Sequence, residues 1–98
     1  MKESRLLKQY GITIDDFIAL WVAQAGRCAI CSAPLVIGED RIEVDHAHVR
    51  GSKRKLVRGL LCGGRWFGCN RRLGKVDDPM WLYRALHYVA DPPASRVL

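Results

Sequence analysis

The sequence predicts a small α+β domain, one antiparallel hairpin with flanking helices, stapled by a bound ion. Three observations carry that reading. Ninety-eight residues bury a smaller share of their surface than a larger chain does, so the core alone is marginal and a staple is expected. Four cysteines fall into two pairs, Cys28 with Cys31 and Cys62 with Cys69. Between the pairs, residues 41–44 alternate polar and apolar and residues 55–61 form a second apolar-rich run, while helical patterns lie at both ends.

Taken in order, residues 3–9 suit a short first helix that ends at Gly11. Thr13 is an N-cap for a second helix from Ile14 to about Ala25, with Asp15 and Asp16 at its positive end and Gly26 as the stop. Its core face carries Phe17, Leu20, Trp21 and Gln24, extended by Ile14 and Ile18. Gly38, Glu39 and Asp40 make a turn into the first strand, where Ile42 and Val44 share a side. A basic connection, residues 50–54, leads to the second run and makes a hairpin with a long charged loop. Asn70, Arg71, Arg72 and Leu73 suit a short helix stopped near Gly74. The last helix has the fullest set of signals: Asp78 caps it, Pro79 fits its first position, and Leu82, Ala85, Leu86 and Val89 form a stripe. Asp91, Pro92 and Pro93 end it, and the expected organisation is one domain over 1–98, with the first helix inside 1–12 and a loose tail at 92–98.

Four thiolates suit a tetrahedral Zn²⁺, whose binding is coupled to folding and is worth roughly 10–16 kcal/mol in isolated zinc-finger peptides. The competing reading of Cys28-x-x-Cys31 is a redox pair, but that chemistry keeps its motif in a βαβ pattern that is missing here. A closed four-cysteine site offers no open position, so this zinc is expected to hold shape and to leave catalysis to other side chains.

Composition excludes several classes. With 49% hydrophobic and 27% charged residues, no repeat and no low-complexity tract, the chain is expected to fold. No apolar run approaches a membrane span, and residues 1–10 mix charged and apolar residues unlike a secretory signal, so a cytoplasmic location is expected, with no membrane partner. The net charge of +6 is unevenly spread. Residues 46–76 hold no acid and nine of the sixteen Lys and Arg, namely Arg50, Lys53, Arg54, Lys55, Arg58, Arg65, Arg71, Arg72 and Lys75; the rest has seven against ten Asp and Glu. A one-signed block of this kind is either a solvated loop or the footprint of a polyphosphate partner.

Asp45 and His46 sit where the first strand ends, His48 lies two residues on, and Asn70 directly follows the last cysteine. A metal that ties Cys69 to the hairpin draws Asn70 towards Asp45. Each of these residues taken singly fits a bland role, a surface histidine, a turn aspartate or a helix-capping asparagine. Five blocks in order give the set its meaning: Tyr10-Gly11-Ile12-Thr13, Gly26-Arg27-Cys28-Ala29-Ile30-Cys31, Val44-Asp45-His46-Ala47-His48, Val57-Arg58-Gly59-Leu60-Leu61-Cys62 and Cys69-Asn70-Arg71-Arg72-Leu73-Gly74. With them the chain, from about Tyr10 to Asp78, resembles the recombination endonuclease VII family, a branch of the His-Me finger (HNH) nucleases. The resemblance implies a ββα-metal finger beside a four-cysteine zinc site, Asp45 and Asn70 as ligands of a catalytic divalent metal, and His46 as the base. It also implies DNA as partner, with branched or junction DNA among the substrates, in phage recombination, repair or packaging, and hence the host cytoplasm as the place of action.

Elementary chemistry is consistent with those roles. Phosphodiester hydrolysis needs a deprotonated water, in-line attack and stabilisation of charge on phosphorus and the departing 3′ oxygen. Mg²⁺ or Mn²⁺ takes oxygen ligands, which the Asp45 carboxylate and Asn70 amide supply. An imidazole at His46 suits proton removal near neutral pH, a role worth about 10²–10⁴-fold in rate, and His48 suits orienting the phosphate or assisting the metal. His87, on the last helix, is expected to be structural. The nucleic-acid surface is expected along Arg50, Lys53, Arg54, Lys55, Arg58, Arg65, Arg71 and Arg72.

The chain departs from its relatives twice. Their second knuckle is another Cys-x-x-Cys, whereas six residues, 63–68, separate Cys62 from Cys69; the three glycines among them let the loop bulge without pulling the sulfurs apart. Trp66 and Phe67 in that loop either cover the zinc site or offer an aromatic wedge to distorted DNA beside Arg65. Better-known junction-resolving members of that family carry a further C-terminal region and act as intertwined homodimers; that region is expected to be short or absent here, which leaves dimerisation without support from the resemblance. The alternative to a nuclease is a non-catalytic zinc-ribbon module that binds DNA through residues 50–75, and an RNA-directed nuclease would use the same catalytic groups.

Overall fold

The computed structural model describes residues 3–38, 41–64, 68–74 and 76–97. The expectations placed on Glu39, Asp40, Arg65, Trp66, Phe67 and Lys75 therefore lie outside the described residues.

Helix α1 (Glu3–Tyr10) turns Leu6 wholly into the core and stops at Gly11, whose φ of +67° favours a residue without a side chain. Helix α2 (Ile14–Ala23) opens on a reciprocal cap: the Asp16 amide donates to Thr13 Oγ1 at 3.1 Å and the Thr13 amide donates to Asp16 Oδ2 at 2.9 Å. It ends before the expected Ala25, because Ala25 and Gly26 both take positive φ, 54° and 68°. Gln24 then turns its carboxamide onto the hairpin. Its Nε2 donates to the Leu60 carbonyl at 2.9 Å and its Oε1 accepts from the Leu60 amide at 2.8 Å, so a side chain satisfies a strand edge where a third strand would otherwise pair.

Strand β1 (Ile42–His46) pairs antiparallel with β2 (Val57–Cys62), in the register Ile42↔Cys62 to Asp45↔Gly59. The first strand thus runs two residues beyond the predicted 44. The predicted second run, 55–61, is divided: Lys53–Leu56 forms a helical turn, α3, and the strand starts only at Val57. Lys, Arg and Leu are good helix formers, and Val57 is the first β-branched residue of the run. The turn is held from both sides, by Ala47 donating to the Leu56 carbonyl at 2.8 Å and by Lys53 Nζ donating to the Lys8 carbonyl of α1 at 2.6 Å. Val44 and Leu60, opposite each other in the ladder, are both buried with Leu6, Phe17 and Leu35.

Helix α4 (Cys69–Gly74) follows the hairpin directly and packs on β2. Helix α5 (Pro79–Ala90) is capped by Asp78 through the Met80 amide at 3.0 Å and starts on Pro79, as expected. Its stripe of Leu82, Ala85, Leu86 and Val89 does not enter the core, since no residue of α5 is buried. The predicted loose tail contains a short helix, α6 (Ala94–Val97), begun by the turn that Pro92 and Pro93 nucleate. Among the described residues no helix is long and apolar enough to cross a membrane.

Candidate active site and metal centre

The four cysteines converge from three places: Cys28 and Cys31 from the loop after α2, Cys62 from the end of β2, and Cys69 from the start of α4. Their sulfurs all lie within 4.8 Å of one another, with Cys31 and Cys62 at 3.8 Å. Sulfurs bound at about 2.3 Å around a tetrahedral ion would stand about 3.8 Å apart, so the cluster can hold a metal ion such as zinc. Its cradle is polar. The Cys62 amide donates to Cys28 Sγ and the Cys69 amide to Cys62 Sγ, both at 3.4 Å. Burial pushes the Cys28 thiol up, but backbone amides of Cys31, Cys62 and Ile30 outweigh it and bring it down to about 6. At Cys69 burial prevails, with its sulfur neighbours adding to it, and pushes the thiol up to about 12.

The wide spacing of the second pair does not separate its sulfurs. A Cβ on Gly68 would lie 2.8 Å from the Gly63 carbonyl carbon, so the two backbones pinch the neck of the loop at a distance only glycine allows.

Asp45 is 7% exposed, and Arg58 holds both its oxygens, Nε to Oδ2 at 2.7 Å and Nη2 to Oδ1 at 3.0 Å. The other side of the guanidinium meets Asp77 at 2.9 Å, and His48 Nδ1 lies 3.4 Å from the same Asp77 carboxylate. Pairing with Asp45 and then Asp77 raises the Arg58 pKa, and Arg58 in turn holds Asp77 below the usual carboxylate range. A local irregularity brings this about. The ladder pairs Asp45 with Gly59 but His46 with Val57, so Arg58 is the extra residue of a β-bulge and its side chain is turned onto Asp45.

His46 lies on the far side of the bulge, its ring 5.7 Å from Tyr10 and 4.8 Å, edge-on, from His48. Its ring nitrogens make no hydrogen bond among the described residues. The ring lines an open cleft of 910 Å³ shared with Arg5, Lys8, Tyr10 and Lys53. Asn70 does reach β1, as the cysteine constraint requires, but its Nδ2 donates to Glu43 Oε2 at 2.6 Å rather than meeting Asp45. A carboxylate can only accept, so this bond fixes the amide with Oδ1 turned away from Glu43. Gly63 leaves room for Glu43 to do so: a Cβ there would fall 2.5 Å from Glu43 Oε1.

The expected nucleic-acid residues divide in the same way. Arg54 is bound by Asp16, which it holds well below the usual carboxylate range, and Arg58 is bound by Asp45 and Asp77. Arg50, Lys53, Lys55, Arg71 and Arg72 are exposed, and Arg65 lies outside the described residues. His87 packs on Tyr83, with ring centroids 4.4 Å apart. Glu43 and Asp77 escaped the sequence reading, and Tyr10 entered it only as part of a motif block. Glu43 carried a local signal, two positions before Asp45 on the same strand and hence on the same face.

This mixed helix-and-strand chain, with its four clustered cysteines, belongs to the recombination endonuclease VII family, whose family model matches residues 3–91. Among curated proteins it is similar to the Gene 59 protein of Mycobacterium phage D29, 40% identical over 99 residues, and to that of Mycobacterium phage L5, 39% identical over 98. Each match takes in 98% of this chain and 54% of the relative, so the chain spans about half the length of these curated relatives. No solved structure matches it.

Proposed function

We propose that the chain is a metal-dependent DNA endonuclease domain of phage recombination, its hairpin and α4 forming a His-Me (ββα-metal) finger over a structural zinc in the four-cysteine site. The observation that carries this is the position of His46, its ring nitrogens without a hydrogen-bond partner among the described residues, in an open cleft walled by cations and next in sequence to a buried carboxylate. Such a group meets the needs of a base acting on a phosphodiester.

In this reading a water enters beside His46, which takes its proton as the oxygen attacks phosphorus; the bond to the 3′ oxygen breaks and that oxygen leaves with the electron pair. Asp45 and Asn70 would hold Mg²⁺ or Mn²⁺, which when bound supplies electrostatic stabilisation of the charge on the phosphate. The donor set suits such an ion. Arg58 occupies one lone-pair direction on each Asp45 oxygen and leaves others, and Asn70 Oδ1 is left over by the bond to Glu43. His48, steadied by Asp77, faces His46 and orients the phosphate. Branched DNA is the substrate class that follows from the family, and assembly as a homodimer would suit it.

The test is nicking of supercoiled plasmid with and without Mg²⁺ or Mn²⁺. His46→Ala should lower the rate by about 10²–10⁴-fold, with zinc content unchanged. Binding without cleavage under every divalent metal would leave a zinc-ribbon DNA-binding module in its place.

A further inference from the structure

We propose that α1 is a wall of the DNA-binding groove, with Arg5 and Lys8 gripping backbone phosphates next to the one presented to His46. The inference rests on the nuclease reading and extends it to a segment outside the acid-free block of the sequence. Arg5, Lys8 and Lys53 line one cleft with His46, and among the described residues no acidic side chain lines it. Arg5 and Lys8 are three apart on α1, about 5–6 Å between their Cβ atoms, and both are exposed. Neither makes an ion pair among the described residues.

Two cations of the basic block that would otherwise serve, Arg54 and Arg58, are already held by Asp16, Asp45 and Asp77. The cations that line the cleft with His46 are those of α1 and Lys53. The wall is also in place before any ligand arrives: Leu6 anchors α1 in the core, Lys53 Nζ bonds the Lys8 carbonyl, and Tyr10 packs on His46. A fixed row of cations leading to a base fits an extended chain of phosphates better than an isolated anion.

The experiment measures binding of a short DNA duplex to the His46→Ala protein across salt concentrations, with Arg5→Gln, Lys8→Gln and both. Glutamine keeps the helix propensity of α1, and thermal melts confirm folding. Each single substitution should make the slope of log K against log salt shallower by about 0.9, and the pair by about 1.8. Arg84→Gln on α5 should leave the slope as it was. A double variant with the slope and affinity of its parent overturns the inference. Plasmid nicking by the wild type separates the two layers: a wild type that nicks, beside an unaltered slope, removes α1 from the groove and spares the nuclease reading. A wild type that neither binds nor nicks removes both.

Discussion

Arg58 is the extra residue of the hairpin, and Asp45 is the group it turns to face. Without the bulge, the side chains at 58 and 45 would point to opposite sides of the sheet. Arg58→Met should therefore destabilise the fold by about 1–3 kcal/mol, the cost of a buried polar group left without its partner. Asp45→Asn in the same protein should recover part of the loss, which a double-mutant cycle in urea measures. Removing the guanidinium should also tighten Mn²⁺ binding, because a competing cation is gone from the carboxylate. An unchanged Mn²⁺ affinity would place the ion away from Asp45.

Glu43 should act through Asn70. Glu43→Ala frees the amide to rotate, and partners that orient a metal ligand typically matter by about 10–100-fold in affinity. Weaker Mn²⁺ binding at unaltered thermal stability is the expected result, read by titration calorimetry. Glu43→Gln can accept through its own oxygen and should recover part of the affinity.

Metal removal should unfold the region around the cysteines. Chelation, or Cys69→Ser, should lower the melting temperature sharply, since a bound ion would tie together four sulfurs from three separate segments that are otherwise joined only by core packing and two long amide–sulfur hydrogen bonds. Atomic absorption on the purified chain should give one zinc per molecule. A protein that melts identically with and without its metal would contradict the structural role.

Acid should weaken the start of α2. Asp16 is held below its ordinary value by Arg54 first and by the Thr13 amide second. A depressed carboxylate contributes in full above the unfolded pKa, about 4, and the contribution is lost as pH falls towards the folded value. The urea midpoint should thus drop below about pH 4, with a smaller drop in Asp16→Asn. Thr13→Ala should cost about 0.5–2 kcal/mol near neutral pH.

Helix ends and cysteine pairs were legible because their signals are local. Thr13 with Asp16, and Asp78 with Pro79, mark their helices within one turn of chain, and α5 forms even though none of its residues is buried. The second strand was legible only in part, because propensity favours helix up to Leu56 while the ladder begins at Val57. Gln24 looked like an imperfect core position, and its service to Leu60 becomes visible only when α2 lies against β2.

By itself the sequence determined most of the helices and the first strand, the family, the four-cysteine cluster and the nearness of Asn70 to the hairpin, since each follows from neighbours along the chain or from the cysteine pairs. Tertiary structure alone decided which charges remain available. Asp77 lies nineteen residues from Arg58 and Asp16 thirty-eight from Arg54, and Coulomb attraction acts on the distance that folding leaves between side chains, whatever their separation in sequence.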